Sequence, residues 1–252
     1  MKKSKTALVT GASAGIGREF ARQLAPQCDR MILVGRREAR LASLADELES
    51  DRVECTLLSV DLVEQAGVEQ VVDAIRDAGP LEYLVNNAGF TIIGAFETIP
   101  LSKQLTMVQV HINATITLTH AALPAMKAAR RGAIINLSSM CTFTPYPDVA
   151  VYGGSKAFLT NFTAALGMEL KGSGVSVQCL VPGFTHTELH DREAFDNYVT
   201  PEIPAEMWME PRDVVLESLA AFEGDRALVV AGRVNRTAAR EALLRDMEAM
   251  QS

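Results

Sequence analysis

The sequence has no apolar run long enough to cross a bilayer and no segment that looks like a secretory signal. A membrane-spanning helix needs roughly 20 consecutive, mostly apolar residues, and the apolar runs here are much shorter. Residues 1–5 are short and basic, and they lack the apolar stretch and small-residue cleavage site of a signal peptide. We therefore expect a cytoplasmic protein without a membrane partner.

Paired cysteines are also missing, because no C-x-x-C motif occurs and the four cysteines are scattered along the chain. We interpret them as small buried hydrophobic residues rather than as disulfide partners or metal ligands. The histidines do not form a ligand set on any one helix face, so the sequence predicts no metal site. The residues concerned are Cys28, Cys55, Cys141, Cys179, His111, His120, His186 and His190.

Basic residues are fewer than acidic ones, with 24 Lys and Arg against 31 Asp and Glu and a formal net charge of −7. The negative electrostatic potential of such a protein repels phosphates, so we expect neither a nucleic acid nor an anionic membrane surface as partner. The sequence shows no internal repeat and no linker that would divide it. A length of 252 residues then predicts a single α/β domain over residues 1–252.

Short apolar runs alternate along the chain with longer segments of helical period. Several runs are apolar at nearly every position, which is typical of strands buried on both faces of a parallel sheet. Between them, Leu41, Leu44 and Leu48 form a stripe at helical spacing that can lie on a sheet. The alternation predicts about seven strands in a doubly wound, Rossmann-type α/β fold with helices on both faces. The apolar runs span residues 7–9, 31–34, 53–60, 83–85, 133–137, 175–181 and 227–230.

One region, residues 184–212, breaks this rhythm with three prolines and several large apolar residues that have no clean period. Long irregular segments in compact domains are usually lids or binding loops. We interpret the region as a substrate-binding loop that favours a hydrophobic carbonyl compound. The alternative is that these residues pack on the domain's own surface or at a subunit contact. The large residues are Phe195, Tyr198, Met207, Trp208 and Met209.

A glycine-rich turn follows the first predicted strand, with Gly11, Gly15 and Gly17 in the spacing G-x-x-x-G-x-G. Glycine permits positive φ and lets the backbone approach a ligand closely. The helix that starts beyond the turn offers unpaired N–H groups and a partial positive charge to a pyrophosphate. A turn of this kind between a strand and a helix indicates a dinucleotide site.

The segment T-G-A-S-A-G-I-G at residues 10–17 resembles the cofactor fingerprint of the short-chain dehydrogenase/reductase family. Further family motifs follow in the family's order and extend the resemblance over nearly the whole chain. The resemblance implies a nicotinamide cofactor and the interconversion of a carbonyl and an alcohol. The motifs are Asp61-Leu62, Asn86-Asn87-Ala88-Gly89, Asn113, Ser139, Tyr152-x-x-x-Lys156 and Pro182-Gly183.

The resemblance also implies which residues contact the cofactor. Asp61 resembles the family's adenine-contacting acid, and Asn87 resembles a residue near the adenosine ribose, although a structural role in a strand-end turn is equally open. The backbone near Thr185 and the hydroxyl of Thr187 resemble the groups that hold the nicotinamide carboxamide. The predicted cofactor set is Gly11, Ser13, Gly15, Ile16, Gly17, Arg36, Asp61, Leu62, Asn87, Ala88, Gly89, Tyr152, Lys156, Pro182, Gly183, Thr185 and Thr187.

The end of the second strand favours NADP(H) over NAD(H). Folds that prefer NAD usually place an acid here for the ribose 2′-hydroxyl, whereas an arginine accommodates a 2′-phosphate. This sequence has Gly35 where the acid would stand and Arg36 next. A guanidinium can bind the phosphate through two charge-assisted hydrogen bonds. The alternative is that Arg36 and Arg37 only solvate the start of the following helix, and we adopt this interpretation for Arg37 but favour the phosphate role for Arg36.

Tyr152 and Lys156 are one helical turn apart, so their side chains lie on the same face. Carbonyl reduction needs a proton at oxygen, and a tyrosine with a pKa near ~10 can deliver it. A nearby ammonium and the positive charge of oxidised nicotinamide favour the phenolate and are expected to lower that pKa. By resemblance, Ser139 orients the carbonyl and Asn113 holds a water in the proton relay, whereas the adjacent Ser138 is a bystander.

These features together predict an NADP(H)-dependent oxidoreductase that reduces a hydrophobic ketone or 3-oxoacyl substrate, with Tyr152 as general acid/base. The alternative is a non-catalytic NADP(H)-binding regulator on the same fold. The presence of Ser139, Tyr152, Lys156 and Asn113 together favours catalysis, because such a regulator usually loses part of that set. The resemblance further implies a homodimer or homotetramer.

Overall fold

A computed structural model describes residues 4–49, 53–189, 203–222 and 227–250. Its sheet contains seven strands, and every pairing between neighbours is parallel. The strands are β1 (Thr6–Thr10), β2 (Arg30–Gly35), β3 (Glu54–Ser59), β4 (Tyr83–Asn86), β5 (Ala133–Leu137), β6 (Ser176–Val181) and β7 (Leu228–Val230). Their order across the sheet is β3-β2-β1-β4-β5-β6-β7.

Helices connect the strands and cover both faces of the sheet. They are α1 (Gly15–Leu24), α2 (Glu38–Glu49), α3 (Gln65–Ala78), α4 (Leu101–Val108), α5 (Thr115–Ala129), α6 (Ala150–Glu169), α7 (Pro211–Ala221) and α8 (Arg233–Ala249). A π-helical segment, Gln109–Ala114, joins α4 to α5. The predicted doubly wound α/β fold is confirmed.

Two apolar clusters lie on opposite faces of the sheet. One packs α1, α2 and α7 against the strands, and the other packs α3, α5 and α6 against them. Consecutive residues of β1 alternate between the two, since Ala7 and Val9 belong to the first cluster and Leu8 to the second. Burial on both faces explains why these strands are continuous apolar runs in the sequence.

The order of the strands reverses between β1 and β4. The chain builds outward from β1 to β3 on one side and then returns to add β4 to β7 on the other. In open parallel sheets such a reversal leaves a crevice at the carboxyl ends of the strands. The glycine-rich turn after β1 and the turn after β4 therefore lie on the two sides of this crevice.

The predicted substrate loop is described only at its two ends. Residues 190–202, including His190, Phe195 and Tyr198, lie outside the described part of the chain. The described ends are joined by main-chain hydrogen bonds, from the His186 N–H to the Met209 carbonyl at 3.0 Å and from the Met209 N–H to the Phe184 carbonyl at 2.9 Å.

The described cysteines are free thiols. Cys28 and Cys179 are buried, as predicted, whereas Cys55 and Cys141 are only partly buried. Across the same described ranges, no helix combines the length and the apolar character needed to cross a membrane.

The core makes a direct prediction for Leu84, a β4 residue that is fully buried. Leu84→Ala should lower the free energy of unfolding by about 2–5 kcal/mol, because truncation removes buried surface and leaves a cavity. Leu101→Ala is the control, since Leu101 is 66% exposed and should change stability by less than about 0.5 kcal/mol. Urea unfolding followed by circular dichroism, at one protein concentration, measures both. Equal losses in the two variants would contradict this assignment of the core.

Candidate active site

A cleft opens at the carboxyl edge of the sheet, and the segments after strands β1 to β6 line it together with the start of α6. Most of the predicted cofactor residues lie on its wall, although they are far apart in the sequence. Those that line it are Gly11, Ser13, Gly15, Ile16, Arg36, Asp61, Leu62, Asn87, Ala88, Gly89, Tyr152, Lys156, Pro182 and Thr187.

Three residues of the predicted cofactor set are not among the cleft's lining. Gly17 packs beneath the glycine-rich turn, where a Cβ would overlap the Asn87 amide and the Gly11 carbonyl. Gly183 lies against the Asn235 side chain of α8 in the same way. Thr185 is buried, and its hydroxyl donates to the Gly183 carbonyl at 3.0 Å. These residues shape the backbone around the cleft.

The glycine-rich turn fits the pyrophosphate of a dinucleotide. Gly11 and Gly15 have φ values of 69° and 54°, in the region that disfavours side chains. A Cβ on Gly11 would lie 2.6 Å from the Asn87 amide nitrogen. Helix α1 begins at Gly15, and Ala14 at its N-cap supplies no side-chain acceptor. The first N–H groups of the helix thus lack a side-chain cap, as an anion site requires.

The Asn87 side chain makes its hydrogen bonds within the protein. Its amide donates to the Thr10 carbonyl at 2.8 Å, and the main-chain N–H groups of Asn87 and Ala88 donate to the Thr10 hydroxyl at 2.9 and 3.0 Å. Asn87 therefore has the structural role that the sequence left open, and it lines the cleft as well.

Arginines gather where β2 ends. Arg36 pairs with Asp61 across 3.5 Å, from Nη1 to Oδ2, and its side chain is 59% exposed. Arg37 donates from Nη2 to the Ser13 hydroxyl at 3.1 Å and from Nη1 to Glu188 at 2.6 Å. Both arginines line the cleft. The interpretation of Arg37 as a solvating residue is wrong, because its guanidinium turns back onto the glycine-rich turn.

Glu188 is a site residue that the sequence analysis missed. Its carboxylate pairs with Arg37 and Arg40, and it lines the cleft beside Thr187. A lone glutamate in an irregular segment has no local signal. Only the fold brings the segment after β6 next to the end of β2.

Helix α6 carries Tyr152 and Lys156 into the cleft on one face. Lys156 is 5% exposed, its Nζ donates to the Leu137 carbonyl at 2.9 Å, and it lies 5.6 Å from the centre of the Tyr152 ring. The Ser138 hydroxyl donates to the Lys156 carbonyl at 2.8 Å. Ser138 is thus a buried anchor that attaches β5 to the helix.

Burial changes the acid–base behaviour of this pair. It raises the pKa of Tyr152 above its usual range, with a smaller opposing effect from a hydrogen bond with Ser139. It also lowers the pKa of Lys156 to about 8. Burial is thus the largest influence on the tyrosine pKa, and the expected lowering by the ammonium and by oxidised nicotinamide stays a prediction. At neutral pH the phenol keeps its proton.

Ser139 lies beside Tyr152 at the end of β5. It caps a short 3₁₀ turn, Met140–Thr142, and its hydroxyl accepts from the Cys141 N–H at 3.4 Å. The Ser139 side chain is close enough to Tyr152 to act on its pKa, in the direction opposite to that of burial.

The structure does not bring Asn113 to the catalytic residues. Its side chain is exposed and donates to Gln109 at 2.7 Å. The helix instead presents His111, which is 1% exposed, with ring centres 5.8 Å from Tyr152. Residues two apart on a helix point in different directions. A signal for His111 exists in the sequence, because it falls on the buried stripe of Met107, Val110, Ala114 and Leu118.

Aromatic side chains gather at the described ends of the predicted substrate loop. His186 stacks on Trp208 with ring centres 4.8 Å apart, and Phe184 contacts the same indole at 5.5 Å. Within the described ranges, no three His, Cys, Asp or Glu side chains are grouped so that they could hold a metal ion.

Comparisons with known proteins show the family to which this chain belongs. A family model described as short chain dehydrogenase matches residues 5–197. Sulfoacetaldehyde reductase 2 of Chromohalobacter salexigens is 39% identical over 188 residues, covering 73% of this chain and 74% of that protein. A very-long-chain 3-oxoacyl-CoA reductase of Coprinopsis cinerea is 37% identical over 183 residues, which cover 70% of this chain and 53% of that protein.

Among solved structures, a short-chain dehydrogenase from Sphingobium yanoikuyae in complex with NADPH has a TM-score of 0.84 and 29% identity. The match covers 97% of this chain and 95% of that one. The family model covers well over half of the present sequence, in agreement with both relatives and with the fold. The chain therefore belongs to the short-chain dehydrogenase family of oxidoreductases.

Proposed function

We propose that this chain is an NADP(H)-dependent oxidoreductase that interconverts a carbonyl and an alcohol, with Tyr152 as general acid/base. The observation that carries the proposal is that Tyr152 and Lys156, with Ser139 beside the tyrosine, lie in the same cleft as Arg36 and Arg37. Membership of the family supports the reaction class, and the relatives compared above are named as reductases.

The residues at the end of β2 support NADP(H) as the cofactor. Arg36 and Arg37 line the cleft, and Arg37 donates to the hydroxyl of Ser13 in the glycine-rich turn. No acidic residue follows β2 directly. Two guanidinium groups and a hydroxyl are suited to a 2′-phosphate. The Sphingobium yanoikuyae relative of known structure is in complex with NADPH.

The proposed chemistry divides the reaction between cofactor and protein. NADPH, when bound, supplies the hydride for the carbonyl carbon. The Tyr152 phenol donates its proton to the carbonyl oxygen, and the Ser139 hydroxyl donates a hydrogen bond to the same oxygen. The Lys156 ammonium stabilises the phenolate that proton donation leaves behind. A phenol that is protonated at neutral pH is already in the form that reduction uses.

For the substrate we propose a hydrophobic ketone or a 3-oxoacyl compound. Phe184 and Trp208 contact each other, with ring centres 5.5 Å apart, at the two described ends of the predicted substrate loop. The Coprinopsis cinerea relative is named as a 3-oxoacyl-CoA reductase. A small aldehyde is a second candidate, because the more similar relative is named as a sulfoacetaldehyde reductase. A panel of ketones, β-ketoacyl thioesters and aldehydes, followed by NADPH absorbance, separates these classes.

Tyr152→Phe tests the general acid directly. We expect turnover to fall about 10²- to 10⁴-fold, the usual contribution of a positioned acid or base, while the dissociation constant for NADPH changes less than about threefold. Tyr83→Phe is the matched control, because Tyr83 lies on β4, its hydroxyl donates to the Gln27 side chain at 3.5 Å, and neither residue lines the cleft. Undiminished turnover in Tyr152→Phe would refute the assignment. Tight NADPH binding without turnover on any substrate by the unaltered protein would favour the regulator alternative.

Arg36→Ala tests the choice of cofactor. Removing a charge-assisted contact to the 2′-phosphate should lower kcat/KM with NADPH by about 10- to 100-fold and leave the value with NADH nearly unchanged. Arg76→Ala is the control, since this exposed arginine pairs only with Asp73 on its own helix. An unchanged ratio of the NADPH and NADH values would contradict the phosphate role.

The pKa of Lys156 predicts how reduction depends on pH. With a pKa of about 8, the lysine is charged below that pH and loses its proton above it. Because the charged form stabilises the phenolate, kcat/KM for the carbonyl substrate should be level near pH 7 and fall above about pH 8. Steady-state rates between pH 6 and 10 measure the profile, with each sample returned to pH 7 to confirm that activity is recovered. A level profile across the whole range would count against this role.

A further inference from the structure

His111 is a buried titratable group that the proposed reaction does not use. It lies in the π-helical segment Gln109–Ala114 between α4 and α5 and is 1% exposed. Single π turns inside helices are rare and frequently occur at functional sites. A buried imidazole is costly unless both of its nitrogens are paired, so its contacts define what it does.

The hydrogen bonds of His111 form one directed chain. The Phe90 N–H donates to Nε2 at 3.2 Å, and Nδ1 lies 2.8 Å from the Ser155 hydroxyl oxygen. The Ser155 hydroxyl donates its single proton to the Tyr152 carbonyl at 2.7 Å. That oxygen must therefore accept from an Nδ1–H, and Nε2 must keep its lone pair. Only the neutral Nδ1–H tautomer satisfies every member of the chain.

The surroundings favour the same neutral form. Burial lowers the pKa of His111 well below its usual value, and the charge of Lys156 acts in the same direction. A proton on Nε2 would point at the Phe90 N–H, so the imidazolium would also lose an existing hydrogen bond.

The His111 ring packs between the turn after β4 and helix α6. Its ring meets Tyr152 edge to face, at 5.8 Å and 76°, and meets Phe90 at 6.0 Å and 63°. A Cβ on Gly89 would lie 2.9 Å from Nε2 of His111 and 3.7 Å from Nζ of Lys156. The absence of a side chain at Gly89 therefore leaves room for the imidazole under this turn, whereas the distance to the ammonium would be an ordinary contact.

We infer that His111 is a positioning residue that joins the turn after β4 to the first turn of α6 and so holds Tyr152 and Lys156 in place against the cofactor cleft. It acts through Phe90 on one side and through Ser155 on the other. The inference rests on the proposed function, because the geometry that it maintains is that of the proposed acid and its lysine.

One test does not depend on turnover. In protein labelled with ¹⁵N-histidine, His111→Gln identifies the His111 signals by their loss. At pH 7 we expect a protonated Nδ1 and an unprotonated Nε2 in the same ring, and Ser155→Ala should shift the Nδ1 signal. An imidazolium, or an Nε2–H tautomer, would overturn the inference whatever the protein's activity.

The kinetic test separates positioning from packing. His111→Leu should lower kcat at least tenfold and change the KM for NADPH less than threefold. His111→Asn can retain the donor to Ser155, and His111→Gln can retain the acceptor for Phe90, so each should recover part of the lost kcat. His120→Leu is the control, since His120 is an exposed histidine on the next helix. The double variant His111→Leu/Ser155→Ala should lower kcat little more than the more damaging single variant does. Either substitution alone already interrupts the hydrogen bonds that run through His111 and Ser155.

The outcomes are distinguishable. An unchanged kcat in His111→Leu would overturn the inference. It would also be overturned if the Leu, Asn and Gln variants lost kcat equally and in proportion to their loss of thermal stability. If the unaltered protein turns over no carbonyl substrate, the proposed function fails, and the tautomer measurement alone then decides whether His111 joins the two segments.

Discussion

The crevice that holds the site depends on one buried hydroxyl that joins β1 to β4. Thr10 is 2% exposed, its hydroxyl donates to the Val85 carbonyl at 3.2 Å, and it accepts from the N–H groups of Asn87 and Ala88. A buried main-chain group left unpaired costs about 1–3 kcal/mol. The Thr10 side chain satisfies three such groups at the point where the strand order reverses, so it fixes the two turns relative to each other.

The glycine-rich turn packs against these Thr10 hydrogen bonds, which form the joint between β1 and β4. The Asn87 amide reaches under the turn to the Thr10 carbonyl, and neither Gly11 nor Gly17 could carry a Cβ beside it. The glycines are thus needed for packing within the protein as well as for the approach of a cofactor. The same joint sets the position of Gly89, and through it the space in which His111 and Lys156 meet.

Burial has opposite effects on the pKa values of Tyr152 and Lys156, and the effect on the tyrosine suits reduction. The tyrosine keeps its proton because its pKa is raised, whereas the lysine approaches the pH range in which its charge is lost. An oxidation would need the phenolate first, which burial disfavours. The same low-polarity surroundings thus keep the tyrosine in the protonated form that carbonyl reduction uses.

The predicted homodimer or homotetramer and the cytoplasmic location stay predictions. Phe158 and Met168 of α6 are 37% and 70% exposed, and they mark a surface on which a subunit contact can be sought. Residues 190–202, on which much of the hydrophobic-substrate interpretation rests, lie outside the described chain.

The sequence by itself determined the features that depend on neighbours along the chain. Apolar runs and helical stripes identified the seven strands, glycine spacing identified the turn after β1, and four-residue spacing placed Tyr152 and Lys156 on one face. Helical spacing likewise places His111, and not Asn113, on the buried stripe, whereas only the tertiary structure decided that Arg37 turns onto Ser13 and that Glu188 joins the arginines. The physical reason is how far apart along the chain the interacting residues lie. Local steric and periodic preferences are written in adjacent residues, whereas the direction of a side chain in a packed site is set by segments that meet only after the sheet has formed.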